Sequence, residues 1–195
     1  MAMLTPTERA ERYSAHWPER PPLQVHGKLL YGLWMIGNDY RRSNPMWGAF
    51  PNGFLGRILT VWPELPRLHV FAGGVRDPQG TTLDIRSESG ADVIGDVRDA
   101  PELLHGRTFA TVIADPPYDA QACAVYGTKP LASRDVLPAL AAVTQPGGHL
   151  LWFSSRAPMW SKRLWEWGGL IGVYVGTNRA MRALTILVRR GETKP

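Results

Sequence analysis

Phe109-Ala110-Thr111-Val112-Ile113-Ala114-Asp115-Pro116-Pro117-Tyr118 is the stretch on which the reading of this chain turns. Its first six residues are the strongest strand signal in the sequence: a short, nearly continuous apolar run of the kind buried on both faces of a parallel sheet. The prolines then stop the strand, because neither can donate to a ladder. Asp115 is thereby delivered to a strand's carboxyl end.

The same pattern recurs upstream. Leu68 to Phe71 is a short apolar run halted by Gly73-Gly74 and reads as a buried strand entering a tight loop. Thr81 to Ile85 is a second strand, carrying Asp84 at its end, and Asp92 to Gly95 is a third, followed by Asp96. Ahead of them Phe54, Leu55, Ile58, Leu59 and Trp62 recur at helical spacing until Pro63 and Pro66 end the helix.

Downstream, the spacing predicts helices over Ala120 to Tyr126 and Val136 to Val143. Asp135 would cap the latter, and Pro138 would sit within its first turn. Pro146-Gly147-Gly148 breaks to a strand over His149 to Phe153. Pro158 opens a predicted helix through Trp167, with Trp160, Leu164 and Trp167 on one face. Gly169 to Val175 and Ala183 to Arg190 alternate as two strands joined by a turn at Thr177-Asn178-Arg179. Residues 1–50, broken by Pro6, Pro18, Pro21, Pro22 and Pro45, read as an irregular extension packed on the domain, with a short helix at Thr7 to Tyr13.

Short apolar strands alternating with helices indicate an α/β fold, a doubly wound and mainly parallel sheet closed by an antiparallel C-terminal hairpin. Ligands of such sheets bind beyond the strands' carboxyl ends. The Phe71-Ala72-Gly73-Gly74 loop, Asp84, Asp96 and Asp115 all fall there.

Four ordered positions at one edge resemble the S-adenosylmethionine (SAM)-dependent amino-methyltransferases of the D-P-P-Y type, best known from DNA adenine methylases. The resemblance runs from about Asn52 to Arg190 and implies strand order 3-2-1-4-5-7-6, the seventh antiparallel. It implies a catalytic Asp115-Pro116-Pro117-Tyr118. There a carboxylate and the Pro116 carbonyl would grip an exocyclic amine, and Tyr118 would offer a flat face to an extruded base. It also implies SAM held by Phe71, Ala72, Gly73 and Gly74, by Asp84 at the ribose, by Asp96 and Val97 at the adenine, and by Asp115. Two departures stand out. Val75 occupies the place of a loop glycine, and only Gly74 to Gly80 lies between the first two strands, where a helix is usual. A helix-free crossover is expected there. Phe50-Pro51-Asn52-Gly53-Phe54 sits where the family closes over SAM's methionine end.

Composition sets the frame. With 195 residues, 44% hydrophobic and 20% charged, the chain suits one methyltransferase domain over residues 1–195. The longest apolar run, Leu29 to Ile36, is far too short to span a bilayer, and no apolar leader follows the N-terminus. A single cysteine, Cys123, argues against a disulfide framework or a cysteine zinc cage, and the five histidines lack metal-ligand spacing, so a cytoplasmic, metal-free protein is expected. From Arg156 onward eight basic residues face only Glu166 and Glu192, which accounts for the whole net charge of +5. That favours a nucleic-acid partner, with a solvated basic face as the plainer alternative. Aromatics and arginines mingle among residues 17–47, and Lys129 and Arg134 flank a loop just past Asp115 to Tyr118. The expected activity is methylation of adenine's exocyclic amine in DNA. RNA amino-methylation and a non-catalytic nucleic-acid-binding module are the alternatives, and the oligomeric state is left open.

Overall fold

The computed structural model of the chain describes residues 3–37, 50–117, 123, 131–176 and 180–191. In chain order these form α1 (Pro6–His16), β1 (Gln24–His26), β2 (Leu29–Ile36), α2 (Phe54–Val61), β3 (Arg67–Val70), β4 (Gly80–Asp84) and β5 (Val93–Ile94). They continue with α3 (Ala100–Leu103), β6 (Phe109–Ala114), α4 (Ser133–Ala142), β7 (Thr144–Ser154), β8 (Trp165–Val175) and β9 (Ala180–Arg189). One sheet joins all the described strands in the order β1-β2-β8-β9-β7-β6-β3-β4-β5. Strands β5, β4, β3, β6 and β7 are parallel, while β9 runs antiparallel to both its neighbours, β7 and β8. From β5 across to β8 this is the order 3-2-1-4-5-7-6 with the seventh strand reversed. The fold is the doubly wound α/β sheet with a C-terminal antiparallel hairpin.

Every residue of β6 is buried. Alternate residues of the central strands feed two cores. Leu68, Val112, Leu150 and Leu187 pack with α3 and α4 on one face. Ile113, Leu151, Phe153 and Leu184 pack with α1 and α2 on the other. Among the described residues no helix is long and apolar enough to cross a membrane.

The sequence expectations need three corrections. Residues 1–50 are not irregular throughout: β2 pairs in parallel with β8 from Leu30 to Ile36 and extends the sheet. Gly169 makes that approach possible, since at its φ of 135° a Cβ would overlap the Leu30 carbonyl oxygen. Second, Pro158 to Trp167 is not a helix. A turn around Ser161 hands the chain to β8, and the Trp160–Trp167 contact, stacked at 5.3 Å, comes from chain reversal. Third, Asp135 does not cap α4. Ala132 holds the N-cap position without a side-chain bond, and Asp135 lies in the first turn. The predicted helix over Ala120 to Tyr126 falls outside the described residues except for Cys123, which is helical and buried. The turn at 177–179 also lies outside them.

The helix-free crossover is present. Residues 71–79 link β3 to β4 without a helix. Asp77 holds this loop by accepting from Arg67 Nε at 2.8 Å, Arg67 Nη2 at 3.2 Å and the Gln79 amide at 3.1 Å, and it contacts His69 Nε2 at 3.0 Å. Burial alone would raise the Asp77 pKa, but the bonds from Arg67 and His69 outweigh it and hold the carboxyl well below the ordinary range. A buried ion cluster therefore does the work that helix packing does elsewhere.

Candidate active site

Asp115 stands directly beyond the last residue of β6, beside buried Pro116. Its Oδ1 is enclosed and, among the described residues, has no hydrogen-bond partner. Burial pushes the Asp115 pKa up to about 7, against the pull of Arg182. An enclosed acceptor that has no partner among the described residues, at the strands' carboxyl edge, is one that a donor could satisfy.

Arg182 reaches this edge because β9 is antiparallel. Ala183 pairs with Ser154 at the end of β7, and the Arg182 guanidinium lies 5.3 Å from the centre of the Phe153 ring. Phe153 in turn meets Phe54 at 4.3 Å, and Phe54 meets Phe50 at 4.9 Å, so an aromatic cluster runs from β7 to the start of α2. The sequence showed Arg182 only as part of a charge count. Reading the hairpin as reversed would have placed it here.

The proposed cofactor residues gather along the same edge. Phe71 and Gly73 both adopt left-handed backbone, with φ of 56° and 50°, and Phe71 packs edge-on to Trp152. Gly73 donates its amide to Asp84 Oδ2 at 2.7 Å, and Asp84 Oδ1 accepts from the Arg86 amide at 2.9 Å. Asp84 thus ties the glycine loop to the neighbouring strand end, though each oxygen keeps a second lone pair. Asp96 caps the turn Val97–Asp99 and is gripped by Arg98, with Nη2 at 2.6 Å and Nε at 3.0 Å. Val97 is buried in the core and Ala72 is also buried.

Next to the loop a cavity of about 350 Å³ is lined by Phe50, Pro51, Gly53, Leu55, Gly56, Gly74 and Arg76. Gly53, Gly56 and Gly74 have open space where a Cβ would stand, so the backbone itself forms the wall. The structure therefore joins the Phe50 to Phe54 segment to the glycine loop. Arg76 also lines the cavity, its guanidinium donating to the Val75 carbonyl at 2.8 Å and the Ser89 carbonyl at 3.1 Å. These residues could hold one end of a bound cofactor. At the other half Asp84 can accept through its remaining lone pairs, whereas Asp96 would first have to release Arg98. Tyr118 and Lys129 lie outside the described residues. Arg134 is exposed, with an ion pair to Asp135 at 3.7 Å.

No family model and no curated protein matches the chain. Among solved structures it is similar to TrmN from Thermus thermophilus (TM-score 0.46, 15% identity, 63% of this chain and 43% of that one). Another is the N-methyltransferase NodS from Bradyrhizobium japonicum WM9 (TM-score 0.45, 12% identity, 64% and 85%). A third is SAM-bound CalS10, an amino pentose methyltransferase from Micromonospora echinaspora (TM-score 0.35, 17% identity, 71% and 74%). The chain spans less than half the length of TrmN. At such identities no substrate passes from those proteins to this chain.

Proposed function

We propose that the protein is a SAM-dependent N-methyltransferase acting on the exocyclic amine of adenine in DNA. The observation that carries this reading is the enclosed Asp115 carboxyl oxygen at the sheet's carboxyl edge, beside Pro116 and without a hydrogen-bond partner among the described residues. SAM, when bound, supplies an electrophilic methyl group. The chain's part is to prepare the nitrogen. An exocyclic amine is a poor nucleophile because its lone pair is delocalised into the ring. Asp115 as carboxylate accepts one N–H and the Pro116 carbonyl accepts the other, which favours a pyramidal nitrogen with a localised lone pair. The two prolines fix the backbone at that carbonyl. Positioning and electrostatics carry the rate, so no strong base is needed. Tyr118, next in sequence, offers a stacking face to the extruded base. Phe71, Ala72, Gly73 and Gly74 would cradle the cofactor, with Asp84 at its ribose and Asp96 and Val97 at its adenine.

Methyl-labelled SAM, incubated with duplex DNA or with structured RNA, tests the reading. Incorporation into DNA adenine is expected, with a loss of at least 100-fold in Asp115→Ala. Incorporation into RNA alone would move the acceptor to the RNA reading. Unchanged incorporation in Asp115→Ala would remove the mechanism. The commitment of Asp84 to Gly73 and of Asp96 to Arg98 specifically favours a second reading, a nucleic-acid-binding module without catalysis. It predicts no heat of SAM binding by calorimetry, together with nucleic-acid affinity that survives Asp115→Ala.

A further inference from the structure

The loop that carries Gly73 and Gly74 has no helix to fix it, and side chains hold it instead. Arg67 and His69 stand two residues apart on β3, so both leave the same face of the strand. Asp77 lies against that face, its Oδ2 shared between Arg67 Nε and His69 Nε2. Gly80 closes the arrangement from β4: a Cβ there would stand 2.7 Å from Asp77 Oδ2 and 3.0 Å from His69 Cδ2. The Asp77 side chain is 2% exposed. A carboxylate enclosed to that degree touches neither a cofactor nor an acceptor, so any part it plays in binding is played through the backbone that it anchors.

That backbone is the wall of the cavity. Only Arg76 separates Asp77 from Val75, whose amide closes a turn on the Ala72 carbonyl at 2.9 Å. The turn contains Gly73 and Gly74, and Gly74 lines the cavity together with Phe50, Gly53 and Gly56. Gly73 is tied to Asp84 and Arg76 to the Ser89 carbonyl, each by a bond to the main chain. The Asp77 cluster is of another kind: two nitrogens of one guanidinium meet both carboxylate oxygens, a charge-assisted and bidentate pairing. Released at Asp77, so short a loop would sample many arrangements, few of which present Gly74 to the cavity. The apparent affinity of a ligand falls in proportion to the fraction of molecules in the competent arrangement.

We propose that Asp77, held by Arg67 and His69, is the positioning residue of the cofactor loop: it sets the backbone of Gly73 and Gly74 for SAM binding and takes no part in methyl transfer itself. The inference rests on the reading of that loop as the one that holds SAM, and the nature of the acceptor does not enter it. A second buried ion pair supplies the contrast. Arg9 of α1 lies 2.6 Å from Glu64, beyond the end of α2, and their side chains are 2% and 1% exposed. Breaking that pair destabilises the fold without touching the loop.

Calorimetric titration of the full-length chain with S-adenosylhomocysteine, the demethylated cofactor, tests this in the wild type, Asp77→Asn and Glu64→Gln, each checked by circular dichroism to be folded at the working temperature. Asparagine keeps the shape of Asp77 but replaces Oδ2 by a group that cannot accept from Arg67 or His69. Asp77→Asn is expected to weaken Kd at least about tenfold, and Glu64→Gln to leave it within about twofold. In methyl transfer, Asp77→Asn should raise KM for SAM by a similar factor and hold kcat at saturating SAM within about twofold. If Asp77→Asn does not fold, Gly80→Ala, which displaces the same carboxylate and keeps its charge, takes its place with the same expectation. A wild type without binding heat would overturn the cofactor reading and this inference with it. Wild-type binding that Asp77→Asn leaves unchanged, or that Glu64→Gln weakens as much, overturns this inference alone, and so does a fall in kcat at unchanged KM.

Discussion

At the scale of a single residue, Asp115 sets two pH dependences of opposite sense. In the reaction proposed above its carboxylate form would accept an amine hydrogen, and its pKa is raised to about 7. In the proposed reaction kcat/KM therefore rises between pH 6 and pH 8 with a midpoint near 7, and a profile flat across that window would exclude Asp115 as the group that titrates. Stability runs the other way. A raised folded-state pKa means that the native protein holds a proton which the unfolded chain has released. The cost of burying the charge is absent in acid, grows as pH climbs from the ordinary carboxylate range to about 7, and is constant above. Asp115→Asn removes that cost. It should stabilise the protein by a few kcal/mol at pH 8 and by almost nothing near pH 4, as read from urea unfolding at the two pH values. Enzymes commonly hold such a destabilised group at the reacting centre.

At the scale of elements, what the sequence revealed and what it hid have the same cause. Strand β6 and the terminal hairpin were legible because each is specified by its own residues: an unbroken apolar run in one, alternation around a turn in the other. The helix α2 was legible from its 3.6-residue spacing. Strand β2 was not, although Leu30, Trp34 and Ile36 are buried at a period of two, because prolines on both sides suggested a loop and its partner β8 lies far along the chain. Trp160, Leu164 and Trp167 imitated a helix because a folded-back turn can bring the same side chains together. Arg182 and Arg76 escaped notice because their places depend on topology rather than on any local motif. The β3–β4 crossover lies between these cases. Its lack of a helix was visible in Pro78 and Gly80, but its substitute, Asp77 with Arg67 and His69, was not. Asp77→Ala leaves the Arg67 guanidinium buried without its partner and should cost about 3–5 kcal/mol in urea unfolding. Hydrogen exchange should quicken first at the amides of residues 71–80. A loss below about 1 kcal/mol would mean that the loop is held by something else.

At the scale of the whole molecule, the basic excess among the described residues does not form one face. Reversal of β9 splits it. Arg182 and exposed Arg156, which follows the end of β7 closely, stand at the carboxyl edge with Asp115. Exposed Lys162 and Arg163 lie just ahead of Trp165, which pairs with Arg189, so they belong to the opposite edge. There Arg189 donates to the Ala141 carbonyl at 2.9 Å, and Arg190 sits 3.8 Å from Glu166. A duplex presented to Asp115 feels the first group closely and the second only through a distance that physiological salt screens. Lys162→Gln, Arg163→Gln and Arg190→Gln combined should therefore leave the Kd for duplex DNA within about twofold, despite removing three positive charges. Arg156→Gln alone should weaken binding and lower the slope of log Kd against log salt by about one phosphate contact. Fluorescence anisotropy across a salt series separates the cases. If the triple variant loses the larger share of affinity, nucleic acid approaches the opposite edge, and Asp115 is not where its bases arrive.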